Sequence, residues 1–163
     1  MIKTSSGKVL LKSGKVSCSC CGLIAAFQVA ITYSWIGTNQ FDLDTKTTFL
    51  SEVVGWSCGD TGTYVAWLPG GDGSQDDTTQ NGFERVDIRV DSAKAAALWT
   101  SSVNIGLYAG WFIPAGGSGQ AQVTVEYQGT IKTKTISPGS QDGCAATPVG
   151  TVIVYANGTF DIV

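Results

Sequence analysis

The chain has 163 residues, enough for one domain, and its composition excludes several classes of protein. Its net charge of −3 lacks the basic excess by which proteins bind nucleic acid. It contains no histidine, which excludes Ser–His–Asp and Cys–His catalysis and every histidine-ligated metal site. Its 21 glycines, nearly twice the usual share, and its 10% aromatic content favour a turn-rich globular β domain over a disordered chain.

Residues 1–22 predict a β-hairpin followed by a cysteine cluster. Two short apolar runs flank Ser13-Gly14, which is a two-residue hairpin turn. Lysines interrupt the sequence before Cys18, so we expect neither a signal peptide nor a lipobox. The uncharged stretch 18–40 alternates with polar residues, which is not typical of a membrane span. These features leave the location open between the cytoplasm and a virion or surface structure.

Residues 23–138 show the alternation of apolar and polar residues that is typical of half-buried strands. The apolar positions of the four clearest strands, which we expect to face one core, are Phe27, Val29, Ile31, Tyr33 and Trp35; Val86, Ile88 and Val90; Val103, Ile105, Leu107, Ala109 and Trp111; and Ala121, Val123, Val125 and Tyr127. Further strands are predicted at 44–50, 52–58, 63–68 and 130–136. The pattern of 92–99 predicts a short helix, with Asp91 or Ser92 as its N-cap. About eight regularly spaced strands predict a single all-β sandwich.

Residues 139–163 predict a second hairpin, which turns at Asn157-Gly158, the strongest short turn signal. Its sequence is similar to that of the N-terminal hairpin. One interpretation is that the two flanking hairpins pair into a small sheet beside the main body, at a contact of a homo-oligomer. The other is that they share only the residues that any hairpin needs.

The cysteine count is odd, which is unusual for a disulfide scaffold. The five are Cys18, Cys20, Cys21, Cys58 and Cys144. Structural or partly disulfide-bonded cysteines, a link between two chains, and a soft-metal site that borrows a fourth ligand all remain open.

Acidic residues concentrate in two segments. Asp42 and Asp44 lie two positions apart after the first strand, so both carboxylates leave the same face. A glycine-rich loop then carries four more acidic residues and no lysine or arginine: Asp72, Asp76, Asp77 and Glu84. Clustered carboxylates repel one another, and Ca²⁺ relieves this by taking six to eight oxygen ligands. Spacing alone leaves a solvated acidic loop as an equal interpretation, because it does not show that the segments meet.

Several motifs resemble those of the tellurium-resistance (TerD-like) family and of YfaP-like bacterial β-sandwich proteins. They are Phe41-Asp-Leu-Asp, Gly71-Asp-Gly, and the stretch from Asp76-Asp to Asn81-Gly-Phe-Glu. The resemblance covers about residues 27–128. It implies a β-sandwich in which Ca²⁺ is bound by Asp42, Asp44, Asp76, Asp77 and Glu84, with Asp72 beside them.

The chain also departs from these families. Gly82-Phe83 stands where the second family has Gly-Pro, and Thr45-Lys46-Thr47 replaces Leu-His-Val. Residues 53–67 form an insertion that we expect to be a hairpin. Neither family implies a reaction.

The function predicted from these features is a non-enzymatic calcium-binding interaction or structural module. Paired carboxylates are what a glycosidase needs, but no activated nucleophile or histidine base accompanies them, so we expect no enzyme. The alternative is a structural protein of a phage virion or surface appendage, acting in assembly or in glycan binding. Trp56, Trp67 and Trp99 would serve a glycan or protein partner if they are exposed.

Overall fold

The computed structural model describes residues 26–37, 42–98, 101–112, 119–140 and 143–163. These residues form two five-stranded antiparallel sheets packed as a sandwich, which confirms the predicted all-β fold. Sheet A contains, in spatial order, β4 (Val65–Leu68), β5 (Phe83–Val90), β1 (Phe27–Gly37), β7 (Gly119–Tyr127) and β8 (Thr130–Ile136). Sheet B contains β10 (Phe160–Ile162), β9 (Thr147–Tyr155), β6 (Ser102–Trp111), β2 (Leu43–Phe49) and β3 (Glu52–Gly55).

The alternation of β1 explains why the two sheets bury one core. Every second residue from Phe27 to Trp35 is buried, and the apolar positions predicted on β5, β6 and β7 are buried with them. β1 lies at the centre of sheet A, where it pairs with β5 on one side and β7 on the other. Of the tryptophans, Trp35, Trp67 and Trp111 belong to this core, Trp56 is 45% exposed, and Trp99 lies outside the described residues.

The predicted helix is present as α1 (Ser92–Leu98). Asp91 is its N-cap, because the Asp91 Oδ1 atom accepts a hydrogen bond of 2.9 Å from the backbone N–H of Lys94. Among the described residues, no helix has the length and apolar character needed to cross a bilayer.

The insertion predicted as a hairpin at 53–67 is a crossover between the two sheets. β3 pairs with β2 at the edge of sheet B, and β4 pairs with β5 at the edge of sheet A. The hairpin prediction was wrong because each run finds its strand partner in a different sheet. Two isolated bridges, Gly55 to Gly59 and Thr61 to Ala66, are the only strand-like pairing within the crossover itself.

The C-terminal hairpin is formed by β9 and β10, as predicted. Its turn is longer than the predicted two-residue turn: the Gly158 N–H donates to the Tyr155 carbonyl at 3.0 Å, and of Asn157 and Gly158 only Gly158 has a positive φ. It does not stand beside the main body, because β9 pairs with β6 and so makes the hairpin part of sheet B. The N-terminal hairpin and its pairing with the C-terminal one lie outside the described residues.

Tyr33 joins the two sheets through a polar contact in the core. The side chain is fully buried on β1, and its hydroxyl lies 2.8 Å from the Thr47 Oγ1 atom on β2. It also donates to the backbone carbonyl of Lys46 at 3.3 Å. Burial raises the pKa of the Tyr33 hydroxyl, so it stays protonated and available as a donor.

Replacing Tyr33 with phenylalanine is expected to lower the free energy of unfolding by about 1–2 kcal/mol, because the buried Thr47 hydroxyl loses its partner. Denaturant titration measures this change. Tyr155→Phe, at a half-buried position of β9, serves as the control and should change stability by less than about 0.5 kcal/mol. Equal effects of the two substitutions would contradict the assigned role of the Tyr33 hydroxyl.

Candidate metal centre

The first acidic segment enters the sandwich where β2 begins. Asp42 and Asp44 are 6% and 2% exposed, and Leu43 and Thr45 beside them are buried as well. Alternation alone would leave every second residue of this run exposed. The short 3-10 turn Gly143–Ala145 packs against Asp44, and its Gly143 N–H donates to the Asp44 Oδ2 atom at 3.0 Å.

The second segment is the loop of residues 69–82, named here the acidic loop, which connects β4 to β5. The end of β1 holds its second half. The Trp35 N–H donates to the Gly82 carbonyl at 3.1 Å, and the Trp35 indole N–H donates to the Thr79 carbonyl at 2.9 Å. Gly37 and Gln80 exchange two further hydrogen bonds. These contacts bring the loop to the end of the sandwich where β2 starts.

The two segments do meet. One carboxylate oxygen from each of Asp42, Asp44 and Asp76 lies within 4.8 Å of the other two. Two oxygens on opposite sides of a Ca²⁺ ion are about 5 Å apart, since each Ca–O distance is about 2.3–2.6 Å. The spacing of the three carboxylates therefore fits a single ion between them.

Glu84 is the fourth acidic residue at this place. It is the second residue of β5 and is fully buried, with its Oε2 atom accepting a hydrogen bond from the Thr45 hydroxyl. Burial raises the pKa of the Glu84 carboxyl well above its ordinary value. The Thr45 hydrogen bond opposes this rise, and the charges of the three aspartates add to it. Asp42, Asp44, Asp76 and Glu84 are named the acid cluster below.

Two buried oxygen atoms of the acid cluster have no hydrogen-bond partner among the described residues: Asp76 Oδ1 and Glu84 Oε1. Burial raises the pKa of the Asp76 carboxyl, and the neighbouring Asp72 charge raises it further. The adjacent Glu84 side chain opposes the rise, and neighbouring carboxylates repel each other unless one of them holds a proton. The site therefore needs either a proton or a cation to satisfy its oxygens.

Asp77, predicted as a ligand from the same loop, uses both of its oxygens within the loop. Its side chain is fully buried. The Oδ2 atom accepts from the backbone N–H groups of Gly71 and Phe83, at 2.9 and 3.0 Å. The Oδ1 atom accepts from the N–H and the hydroxyl of Thr79, at 3.0 and 2.6 Å. Asp77 therefore fastens the two ends of the acidic loop together and lies outside the acid cluster.

Asp72 is exposed at the tip of the acidic loop. Its Oδ1 atom accepts from the backbone N–H and the hydroxyl of Ser74, at 2.8 and 2.6 Å. These hydrogen bonds, the hydroxyl one first, hold the pKa of Asp72 below its ordinary value. Asp72 thus shapes a turn and contributes its charge to Asp76 without joining the cluster.

The glycines of the acidic loop have a role that the sequence did not indicate. A Cβ atom at either Gly71 or Gly82 would collide with the Asp77 carboxylate. These two glycines therefore make room for the Asp77 carboxylate.

Sequence reasoning missed two residues that touch the acid cluster, Thr45 and Gly143. Thr45 follows Asp44 directly, but only the packing of β2 against β5 shows that its hydroxyl reaches Glu84. Gly143 is 99 positions from Asp44 and carries no side chain, so no sequence signal marks it.

Two of the five cysteines are described, and they form a disulfide, Cys58–Cys144. Cys18, Cys20 and Cys21 lie outside the described residues.

Comparisons of the chain with protein-family models, with curated proteins and with solved structures gave no match. The resemblance to the TerD-like and YfaP-like proteins therefore stays a prediction.

Proposed function

We propose that this chain is a non-enzymatic β-sandwich module that binds Ca²⁺ at the acid cluster. The observation that carries the proposal is the pair of buried oxygens without a partner, Glu84 Oε1 and Asp76 Oδ1, beside the carboxylates of Asp42 and Asp44. A buried polar atom without a partner costs free energy, and a buried carboxylate costs more. A cation at this place would remove that cost from several oxygens at once.

The donor set favours Ca²⁺ over other metals. The three aspartates that lie close together and the neighbouring Glu84 all offer carboxylate oxygens. The two described cysteines are joined to each other, so no thiolate is available from them. Four carboxylates offer up to eight oxygens, which matches the six to eight that Ca²⁺ takes in flexible geometry. Mg²⁺ demands near-ideal octahedral geometry at shorter distances and keeps several of its waters.

The ion would join parts of the fold that are far apart in sequence. Asp42 directly precedes β2 of sheet B and Asp44 lies in it, whereas Asp76 belongs to the acidic loop and Glu84 to β5 in sheet A. Binding would therefore fix the acidic loop and clamp the two sheets at one end. We assign the ion this structural, interaction-supporting role and no chemistry of its own.

The test is thermal unfolding of chelator-treated protein with and without millimolar Ca²⁺, with Mg²⁺ for comparison. Occupancy at 100 times Kd adds about 2.7 kcal/mol. For a domain of this size that corresponds to a rise in Tm of roughly 5–10 °C. No rise with Ca²⁺ would refute the proposal.

Asp76→Asn is expected to weaken Ca²⁺ binding on the order of 100-fold, as measured by calorimetric titration, because it removes a ligand charge from the cluster. Calcium-free stability should not fall, since the Asp76 carboxylate has an unpartnered buried oxygen. Asp72→Asn removes the same charge from the same loop outside the cluster and serves as the matched control, with affinity kept within about threefold. Equal losses in the two variants would show that the loop attracts Ca²⁺ only through its general charge.

A further inference from the structure

The Cys58–Cys144 disulfide lies next to the acid cluster. It ties the crossover between β3 and β4 to the 3-10 turn Gly143–Ala145, across 86 positions of sequence. Cys144 is exposed and Cys58 is half-buried, so the disulfide lies near the surface of the sandwich.

The same turn orients one member of the acid cluster. Gly143, which precedes Cys144, donates its N–H to the Asp44 Oδ2 atom at 3.0 Å in a buried contact. Besides the disulfide, two hydrogen bonds hold Cys144: its N–H donates to the Ser57 hydroxyl at 3.4 Å, and its carbonyl accepts from the Lys46 ammonium at 2.7 Å. The first of these is long and the second is exposed. The chain continues from the turn through Ala146 into β9, and the disulfide is the covalent link that holds the turn to the crossover on its other side.

We propose that the Cys58–Cys144 disulfide sets the affinity of the acid cluster for Ca²⁺, the oxidised form binding more tightly. The proposal rests on the function proposed above. The disulfide restrains the turn from the side of the crossover, and the Gly143 N–H of that turn is a hydrogen-bond donor to the Asp44 carboxylate. Loss of a hydrogen-bond partner that orients a metal ligand typically lowers the metal affinity by about 10–100-fold. We expect reduction to weaken Ca²⁺ binding by about tenfold.

The reductant is a dithiol. It transfers two electrons and two protons to the protein: the sulfur–sulfur bond breaks, Cys58 and Cys144 become thiols, and the dithiol becomes a cyclic disulfide. Attack begins with the thiolate of the dithiol on one sulfur and passes through a mixed disulfide. Exposed Cys144 is the accessible sulfur for that attack.

The experiment uses the full chain with Cys18, Cys20 and Cys21 replaced by serine, so that dithiol acts only on the pair Cys58–Cys144. Ca²⁺ is titrated calorimetrically into the oxidised and the reduced protein, and near-UV circular dichroism reports whether each is folded. A folded reduced protein with affinity about tenfold lower supports the proposal. A folded reduced protein with unchanged or higher affinity overturns it, as does a reduced protein that is unfolded, because the disulfide would then act only on folding. Failure of the oxidised protein to bind Ca²⁺ would instead refute the proposed function.

The reduction potential of the disulfide gives a second measurement, because the effects of reduction on Ca²⁺ binding and of Ca²⁺ on reduction must be equal. If reduction weakens Ca²⁺ binding tenfold, saturating Ca²⁺ must make the disulfide tenfold harder to reduce. For a two-electron couple this lowers the reduction potential by about 30 mV. The fraction of free thiol in a defined dithiol redox buffer, with and without Ca²⁺, gives this shift in the folded protein. An unchanged potential overturns the proposal while leaving the Ca²⁺ site intact.

Discussion

Replacing Glu84 with glutamine is expected to stabilise the calcium-free protein at neutral pH and to abolish its stabilisation by Ca²⁺. Glu84 is fully buried beside three aspartates, and its Oε1 atom has no partner. Glutamine keeps the shape and keeps an oxygen to accept from the Thr45 hydroxyl. Its amide NH₂ also supplies a donor for the Asp76 carboxyl, with which Glu84 interacts. We expect the free energy of unfolding to rise by about 1–3 kcal/mol.

The stability difference between Glu84→Gln and the wild type should depend on pH in one direction. Burial raises the pKa of Glu84 in the folded protein above its value in the unfolded chain. Between these two values only the folded state holds the proton, so calcium-free wild-type stability falls as pH rises through that window. Below the window Glu84 is neutral in both states and costs little. Glutamine does not titrate, so its advantage should be absent at low pH and full above the folded pKa.

Chemical denaturation between pH 4 and pH 8, in chelator and in Ca²⁺, measures both effects. Glu126→Gln makes the same chemical change at an exposed position of β7 and should alter neither the pH dependence nor the response to Ca²⁺. A Glu84→Gln protein that is less stable than the wild type in chelator at neutral pH would contradict the description of Glu84 as a buried carboxylate with an unsatisfied oxygen. A variant that is still stabilised by Ca²⁺ would remove Glu84 from the ligand set.

The sandwich could be predicted from the sequence because the patterns that indicate its strands and turns lie within short segments of the chain. Alternation from Phe27 to Trp35 specifies which face of β1 is buried, whatever its partners are. The Asn157-Gly158 pair marks a hairpin because Gly158 readily adopts the positive φ that the turn requires, although the turn itself is longer than two residues. The partner of each strand is a non-local property, however. This is why residues 53–67 were predicted as a hairpin although β3 and β4 pair in different sheets.

The candidate site could be predicted only in part, because carboxylates of the same type have different roles in it. Asp76 and Asp77 are adjacent in sequence. Their roles differ because different backbone N–H groups lie near them. The N–H groups of Gly71 and Phe83 donate to the Asp77 carboxylate, whereas no described donor reaches the Asp76 Oδ1 atom. Those N–H positions depend on how the loop closes. No spacing rule within the loop contains that information.

Replacing Asp77 with alanine is expected to lower the free energy of unfolding by about 3–5 kcal/mol, both in chelator and in Ca²⁺. The carboxylate accepts four hydrogen bonds, one from Gly71 near the start of the acidic loop and three from Thr79 and Phe83 near its end. Each hydrogen bond to a charged group contributes about 1.5–3 kcal/mol, and its loss leaves N–H groups without partners. For a domain of this size, the expected fall in Tm is roughly 10 °C.

The result in chelator decides what Asp77 does. A metal ligand would repel its acidic neighbours when the ion is absent, so removing it would leave calcium-free stability unchanged or raised. If Asp77 instead holds the loop together, its removal must lower the stability of the protein both in chelator and in Ca²⁺. Asp77→Asn provides the matched control: its amide group can accept at only one of the two oxygen positions, so its loss should be intermediate between wild type and Asp77→Ala. Stability lost only in the presence of Ca²⁺ would return Asp77 to the ligand set, and the acid cluster would then extend into the acidic loop by one more residue.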